Sequence, residues 1–173
     1  MWVVRIPLYT GWNLVSLPVV PLNSAPNVVF SQMIRSGALT AVWSYTGSPT
    51  PAWKFFAPGK TSTLTTITDG MGLWVLTTTS ATLYLQGCVI PPAANPPQYT
   101  LALGWNLVGF KPQPTIQNDT LSHYLSSISG KYDSANVWLY DNSGSWVRAQ
   151  DATWLKPGQA IWIFMTAPAT LRP

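Results

Sequence analysis

The pentapeptide Gly11-Trp12-Asn13-Leu14-Val15 returns as Gly104-Trp105-Asn106-Leu107-Val108, 93 residues on. A repeat this long constrains the architecture before any single motif is read, because a chain that repeats itself is expected to fold as repeated units. The correspondence runs well past five residues. Leu8, Pro21 and Gly37 find Leu101, Pro114 and Gly130 at the same step. Trp43 and Tyr45 find Trp138 and Tyr140 two residues beyond it, and Trp53 finds Trp146 back on it. Gly70, Trp74 and Ala81-Thr82-Leu83 correspond to Gly158, Trp162 and Ala169-Thr170-Leu171 at a step of 88. The length changes fall between landmarks, where loops tolerate them. Eight of the ten tryptophans are paired in this way, so most of the aromatic content belongs to the repeated unit.

Two units of roughly 80–90 residues sit at the small end of the domain range. The sequence divides as a first β-module over 1–90, a proline-rich linker over 91–97 and a second β-module over 98–173. Four of the seven linker residues are proline. An extended spacer of that kind rises about 3.1 Å per residue and spans on the order of 20 Å.

Within one unit, residues 12–19 alternate as a strand with two largely apolar faces, the pattern of a buried strand. Pro18 and Pro21 end it. Pro26 opens a short helix in which Val29 and Met33, and Phe30 and Ile34, stand four apart, with Gly37 as its stop. The second unit follows the same plan, with Asp119 expected as N-cap and Gly130 as stop. Hairpin strands lie on either side of residues 46–51 and 141–145. Residues 72–76 and 160–164 read as matched strands. The expected fold is therefore mainly β: two tandem homologous small barrels or sandwiches, each with one short helix after the Gly-Trp-Asn strand. Trp12, Trp43, Trp74 and their partners lie in apolar strands and are expected to pack in the core. Trp53 and Trp146 begin the second hairpin strand and are the candidates for exposed aromatic contacts.

The two units differ at their ends. The first has an apolar segment, Trp2-Val3-Val4-Arg5-Ile6, where the second has the proline linker. The first continues past Leu83 into Tyr84-Leu85-Gln86-Gly87, while the second stops at Leu171-Arg172-Pro173. An unfilled sheet edge is a template for another chain. Strand donation from one copy to the next is one reading, with Trp2, Val3, Val4, Arg5, Ile6 and Leu171 as subunit-interface residues. Pairing of that segment within its own unit is the other. Head-to-tail contacts that do not close give a fibre.

Chemistry-bearing residues are few. Charged residues are 8% of the chain, glutamate is absent, and nine scattered Lys and Arg against five Asp give +4. Nothing clusters as a basic stripe, so no nucleic-acid partner is expected. No apolar run approaches the roughly 18 residues of a membrane span. The start, Met1 to Arg5, lacks the regions of a signal peptide. His123 stands four residues after Asp119, within reach on one helix face, and a surface or capping pair is favoured over a catalytic dyad. No Gly-x-Ser-x-Gly elbow or glycine-rich phosphate loop is present. One His and one Cys cannot hold zinc, and the aspartates are dispersed, as turn residues are. Cys88 is expected to be a buried, inert thiol. No catalytic residue, metal or cofactor is expected, and the protein reads as non-enzymatic.

Gly11 to Pro18, Trp43 to Tyr45 and Gly70 to Leu85, with their counterparts Gly104 to Val108, Trp138 to Tyr140 and Gly158 to Leu171, resemble a Gly-Trp-Asn-Leu type tandem β-module of secreted prokaryotic surface proteins. Two such domains in a row are also similar to subunits of extracellular filaments built from tandem β-domains. The resemblance implies an extracellular or cell-surface location and a structural role, with copies of itself as partner. A carbohydrate-binding or adhesive module of a larger surface protein, with surface glycans as partner, is the alternative.

Overall fold

The computed structural model describes residues 2–47, 50–88, 97–111 and 118–173. The expected linker, residues 91–97, lies outside the described residues except for Pro97. The first half holds β1 (Trp2–Leu8), β2 (Gly11–Ser16), β3 (Val20–Pro21), α1 (Pro26–Val29), α2 (Ser31–Arg35), β4 (Leu39–Thr46), β5 (Ala52–Phe56), β6 (Gly72–Thr77) and β7 (Ala81–Cys88). The second holds β8 (Tyr99–Leu101), β9 (Gly104–Gly109), β10 (Asp119–Thr120), α3 (Leu121–Tyr124), a 3-10 turn (Ser126–Ile128), β11 (Tyr132–Tyr140), β12 (Trp146–Arg148), β13 (Trp154–Leu155), β14 (Ala160–Met165) and β15 (Ala169–Leu171). With 50% strand and 10% helix the protein is mainly β, as expected. Among the described residues no closed barrel forms, and every pairing is antiparallel.

Each half contains a four-stranded sheet, in order β2-β6-β4-β5 and β9-β14-β11-β12. Matched residues hold matched places: Leu14 lies opposite Trp74, and Leu107 lies opposite Trp162. A second, smaller sheet faces each core. In the first half it is β1-β7-β3; in the second it is β8-β15. Ile6, Pro7 and Leu8 pair with Leu83, Thr82 and Ala81, and Tyr99, Thr100 and Leu101 pair with Leu171, Thr170 and Ala169. Tyr99–Leu101 is thus the second half's shorter counterpart of the inner part of β1, a strand the sequence reading missed because prolines precede it. Residues 113 and 114, which match β3 by the repeat, are outside the described residues.

The core separates into two. One cluster is drawn from residues between Ile6 and Leu85, with Phe30, Val42, Ile67, Leu73 and Val75 sealed from solvent. The other is drawn from residues between Leu101 and Leu171, with Ile128, Val137, Leu155, Ile163 and Met165 sealed. The helices are shorter than the sequence suggests. Phe30 breaks the first at φ −100°, ψ 15°, leaving α1 and α2 as single turns. In the second half Thr120, rather than Asp119, is the N-cap: its Oγ1 accepts from the His123 amide at 3.4 Å, while Asp119 takes part in β10. Asp119 is instead held by the amide of Thr120, which donates to its Oδ1 at 2.8 Å.

The repeated Gly-Trp-Asn has a local explanation. Gly11 and Gly104 adopt φ of +97° and +89°, a left-handed turn that L side chains rarely enter. The asparagine then ties the turn shut. Asn13 Oδ1 accepts from the Tyr9 amide at 2.8 Å, and its Nδ2 donates to the Tyr9 carbonyl at 2.8 Å. Asn106 does the same with Ala102, at 3.0 and 2.8 Å. Both asparagines are buried, so these bonds satisfy polar atoms that would otherwise be costly to enclose.

Candidate binding site: an aromatic cleft between the halves

Strand alternation sends Val15, Leu73, Val75 and Val42 into the first core, and Ile161, Ile163 and Val137 into the second. The other face of each four-stranded sheet carries Trp12, Leu14, Trp43, Tyr45 and Trp74, or their counterparts Trp105, Leu107, Trp138, Tyr140 and Trp162. These faces meet. Leu14, Leu107 and Ala160 form a small buried cluster, with Tyr45, Trp74, Tyr140 and Trp162 packed around it.

The backbone contacts across this junction are reciprocal. The Ser16 amide donates to the Gly158 carbonyl at 2.8 Å, and the Gly109 amide donates to the Gly70 carbonyl at 2.9 Å. Ser16 and Gly109 correspond in the repeat, as do Gly70 and Gly158. Bridges between Val15 and Gln159 and between Val108 and Met71 obey the same exchange. Ser16 adds an unmatched pair of bonds, its Oγ donating to the Gln159 carbonyl at 2.6 Å and the Phe110 carbonyl at 3.3 Å.

The rings follow the same rule. Trp74 meets Tyr140 at 4.8 Å and Trp146 at 5.6 Å between centroids; Trp162 meets Tyr45 at 5.2 Å and Trp53 at 5.7 Å. Trp12 contacts Trp74, and Trp105 contacts Trp162, each at 6.1 Å. Most of these pairs are edge-to-face, the arrangement that ring quadrupoles favour. Two clefts open beside the junction. One of about 680 Å³ is lined by Tyr45, Trp53, Trp74, Trp105, Trp138, Trp146 and Trp162. The other, of about 540 Å³, is lined by Trp12, Trp43, Trp53, Trp74, Tyr140 and Trp146. Among the described residues no charged side chain lines either, and Trp53, Trp74 and Trp146 border both.

Trp53 and Trp146 are exposed, at 48% and 49%, and both stand in this aromatic wall. The expectation that the other paired tryptophans fill the cores is corrected. Trp12 and Trp105 are 44% and 39% exposed, and Trp43, Trp74, Trp138 and Trp162 are half-buried. The smaller aliphatic residues take the inward positions, leaving the indoles on the opposite parity. The signal was present in the spacing: Trp43 and Tyr45, like Trp138 and Tyr140, are two apart and so share a face with each other rather than with Val42 or Val137.

The expected interface residues are dispersed. Trp2–Leu8 pairs with β7 of its own half, so the segment already has a strand partner. Trp2, Val3 and Arg5 are exposed, and Val4 is half-buried. Arg5 lies 5.5 Å from the centre of the Tyr84 ring. Ile6 and Leu171 belong to their own cores, at 5% and 0% exposure, and so are not available as a contact surface in the folded chain. Cys88 is exposed, not buried, because it ends β7 at a position whose alternation points outward.

His123 Nδ1 lies 2.7 Å from Asp119 Oδ2, as their spacing predicts, with the imidazole 60% exposed. Among the described residues no serine, threonine or cysteine side chain bonds to the ring. Among the described residues no group of three His, Cys or Asp side chains converges there either, and no helix is long and apolar enough to cross a membrane.

One polar cluster does cross the junction. Lys111 Nζ is 2.9 Å from Asp69 Oδ2, and Tyr99 Oη donates to the same oxygen at 3.2 Å. Burial and the neighbouring Asp69 charge hold the Tyr99 phenol protonated, far above its ordinary range. Tyr124 is likewise raised by burial; its hydroxyl donates to the Gly109 carbonyl at 2.9 Å and accepts from the Lys111 amide at 3.3 Å.

No family model, no curated protein and no solved structure matches this chain.

Proposed function

We propose that this protein is a non-enzymatic, extracellular adhesive module that binds carbohydrate chains along its aromatic cleft. The observation that carries the reading is the row of indole and phenol rings left accessible where two sheets meet. An apolar concavity of this size, kept open on a surface, is the expected form of a binding site. Its uncharged lining disfavours anionic and cationic ligands. Sugar rings present flat C–H faces that stack on indoles and need no charge.

Tryptophan fluorescence tests this reading. Titration with cello- and chito-oligosaccharides is expected to shift the emission of the full chain. The double substitution Trp53→Ala and Trp146→Ala is expected to abolish the shift while leaving the fold intact by circular dichroism. No response to either sugar series would sink the proposal.

A self-assembling surface filament is the second reading. What favours it is the outer edge of β1, which has no strand beside it among the described residues and carries exposed Trp2 and Val3. An edge of that kind invites pairing with another chain. Ile6 serves its own core, so substituting Trp2→Ser with Val3→Lys is a cleaner test than deleting residues 1–6. Fibres in negative-stain images of the native chain that vanish in this variant would establish it. Their absence from the native chain would remove it.

A further inference from the structure

The junction between the halves is reciprocal in its backbone and its rings, but not beside Gly70. Where Ile6 lies against Gly158, its counterpart Tyr99 lies against Gly70 so closely that a β-carbon there would overlap the ring. By the repeat, Lys111 corresponds to Pro18 and Asp69 to Pro157. One side of the junction is therefore finished with two prolines and an isoleucine, the other with lysine, aspartate and tyrosine. The apolar version shows that the contact does not require charge. A buried ion pair is also no more stabilising than a well-packed apolar set. Stability alone thus gives no reason for Lys111 to be there.

The geometry is unusual for a simple ion pair. The Lys111 side chain is 2% exposed and that of Asp69 12%. Nζ lies 2.9 Å from Oδ2 and has no other polar partner among the described residues. A buried ammonium normally aligns its protons on acceptors. Here the Asp69 carboxylate is the one acceptor beside it among the described residues. Both residues are fixed in place by the bond from the Gly109 amide to the Gly70 carbonyl and by the Met71–Val108 bridge.

We propose that Lys111 Nζ and Asp69 Cγ condense into an amide bond that joins the two halves covalently. A proton passes from the ammonium to the carboxylate, leaving a free amine and a carboxylic acid. The nitrogen lone pair attacks Cγ, and a C–N bond forms. One carboxyl oxygen takes a second proton from nitrogen, its C–O bond breaks, and it departs as water. An ammonium and a carboxylate become one amide and one water, with no oxidant or co-reactant. Tyr99 Oη donates to Oδ2, where negative charge gathers in the tetrahedral intermediate, and so stabilises the addition step. Holding amine and carboxyl together supplies an effective molarity of the kind that reaches about 10⁵–10⁸ M in well-oriented intramolecular reactions.

Intact mass spectrometry with peptide mapping of the purified full chain tests the bond directly. The expected result is a protein one water lighter than its sequence mass, with the peptide bearing Asp69 joined to the peptide bearing Lys111. Lys111→Arg, which keeps the positive charge, is expected to restore the full mass, and Tyr99→Phe to slow appearance of the lighter species. After a protease cut within residues 89–96, the native halves are expected to migrate together under denaturing, reducing conditions and those of Lys111→Arg to separate. A full-mass native chain with the two peptides unjoined overturns the proposal, and that measurement needs no variant to fold.

Discussion

Trp53 and Trp162 come from opposite halves of the chain and meet edge-on with their ring centroids 5.7 Å apart. Each makes two further ring contacts, Trp162 with Tyr45 and Trp105 and Trp53 with Trp43 and Tyr45, but Trp162 is half-buried whereas Trp53 is exposed at the rim. Trp162→Ala is expected to cost about 2–4 kcal/mol, near the lower part of the range for removing a large packed aromatic. Trp53→Ala, already half in solvent, is expected to cost about 1 kcal/mol. Urea unfolding of both variants checks the order; equal losses would mean that the ring contacts do not organise the junction as described.

The asparagine clamps allow a comparison within one molecule. Asn13→Ala and Asn106→Ala each strip both bonds from a buried turn amide and its carbonyl partner, and each is expected to cost about 1–3 kcal/mol. The clamps share their local bonds, but Asn13 Nδ2 also donates to the Val75 carbonyl at 3.3 Å, so Asn13→Ala is expected to cost the more of the two, and the losses to add in the double variant within about 0.5 kcal/mol, as independent sites do. Thermal or urea denaturation measures all three.

Alkaline pH is expected to unfold the protein through Tyr99. Its folded-state pKa is raised first of all by burial, so the neutral phenol is favoured by the fold whether or not Asp69 keeps its charge. The stability this contributes is fully present below the unfolded value of about 10 and falls as pH rises past it. Tyr99→Phe is expected to flatten stability between about pH 10 and 12. A variant as alkali-sensitive as the native chain would assign the loss elsewhere, with Tyr124 and Tyr132, also raised by burial, as the next residues to replace.

Acid acts at the other hairpin. Asp141 is held below the ordinary carboxylate range first by the Ser143 hydroxyl, which donates at 2.6 Å, and then by the amides of Ser145 and Ser143. A depressed carboxylate supports the fold above its unfolded pKa of about 3.9 and releases it as pH falls through the lower folded value. Protection factors of the Ser143 and Ser145 amides, measured against intrinsic exchange, are expected to fall in that window and to be low at every pH in Asp141→Ala.

How much was legible depended on which face of a strand carried the information. The Gly-Trp-Asn motif marked the strands β2 and β9, because a left-handed glycine turn and an asparagine clamp are local devices. The helices were overestimated: periodicity at Val29, Phe30, Met33 and Ile34 extends through the break at Phe30. The tryptophans were assigned to the core on apolarity alone. With Leu73 and Val75 on one parity and Trp74 on the other, both faces of β6 are apolar, and parity does not say which is covered by its own half and which by the other. The Lys111–Asp69 contact was invisible for a related reason. It joins two loops 42 residues apart, each unremarkable in isolation.

Reciprocity across the junction has a consequence for assembly. Every matched contact there is made once in each direction, so a first half fits the second half of another chain as well as its own. Closing within one chain is favoured only by the tether, which for a short linker amounts to a local concentration on the order of millimolar. At protein densities approaching that value, open chains of exchanged halves compete with the closed form, unless a covalent tie has already fixed each half to its own partner.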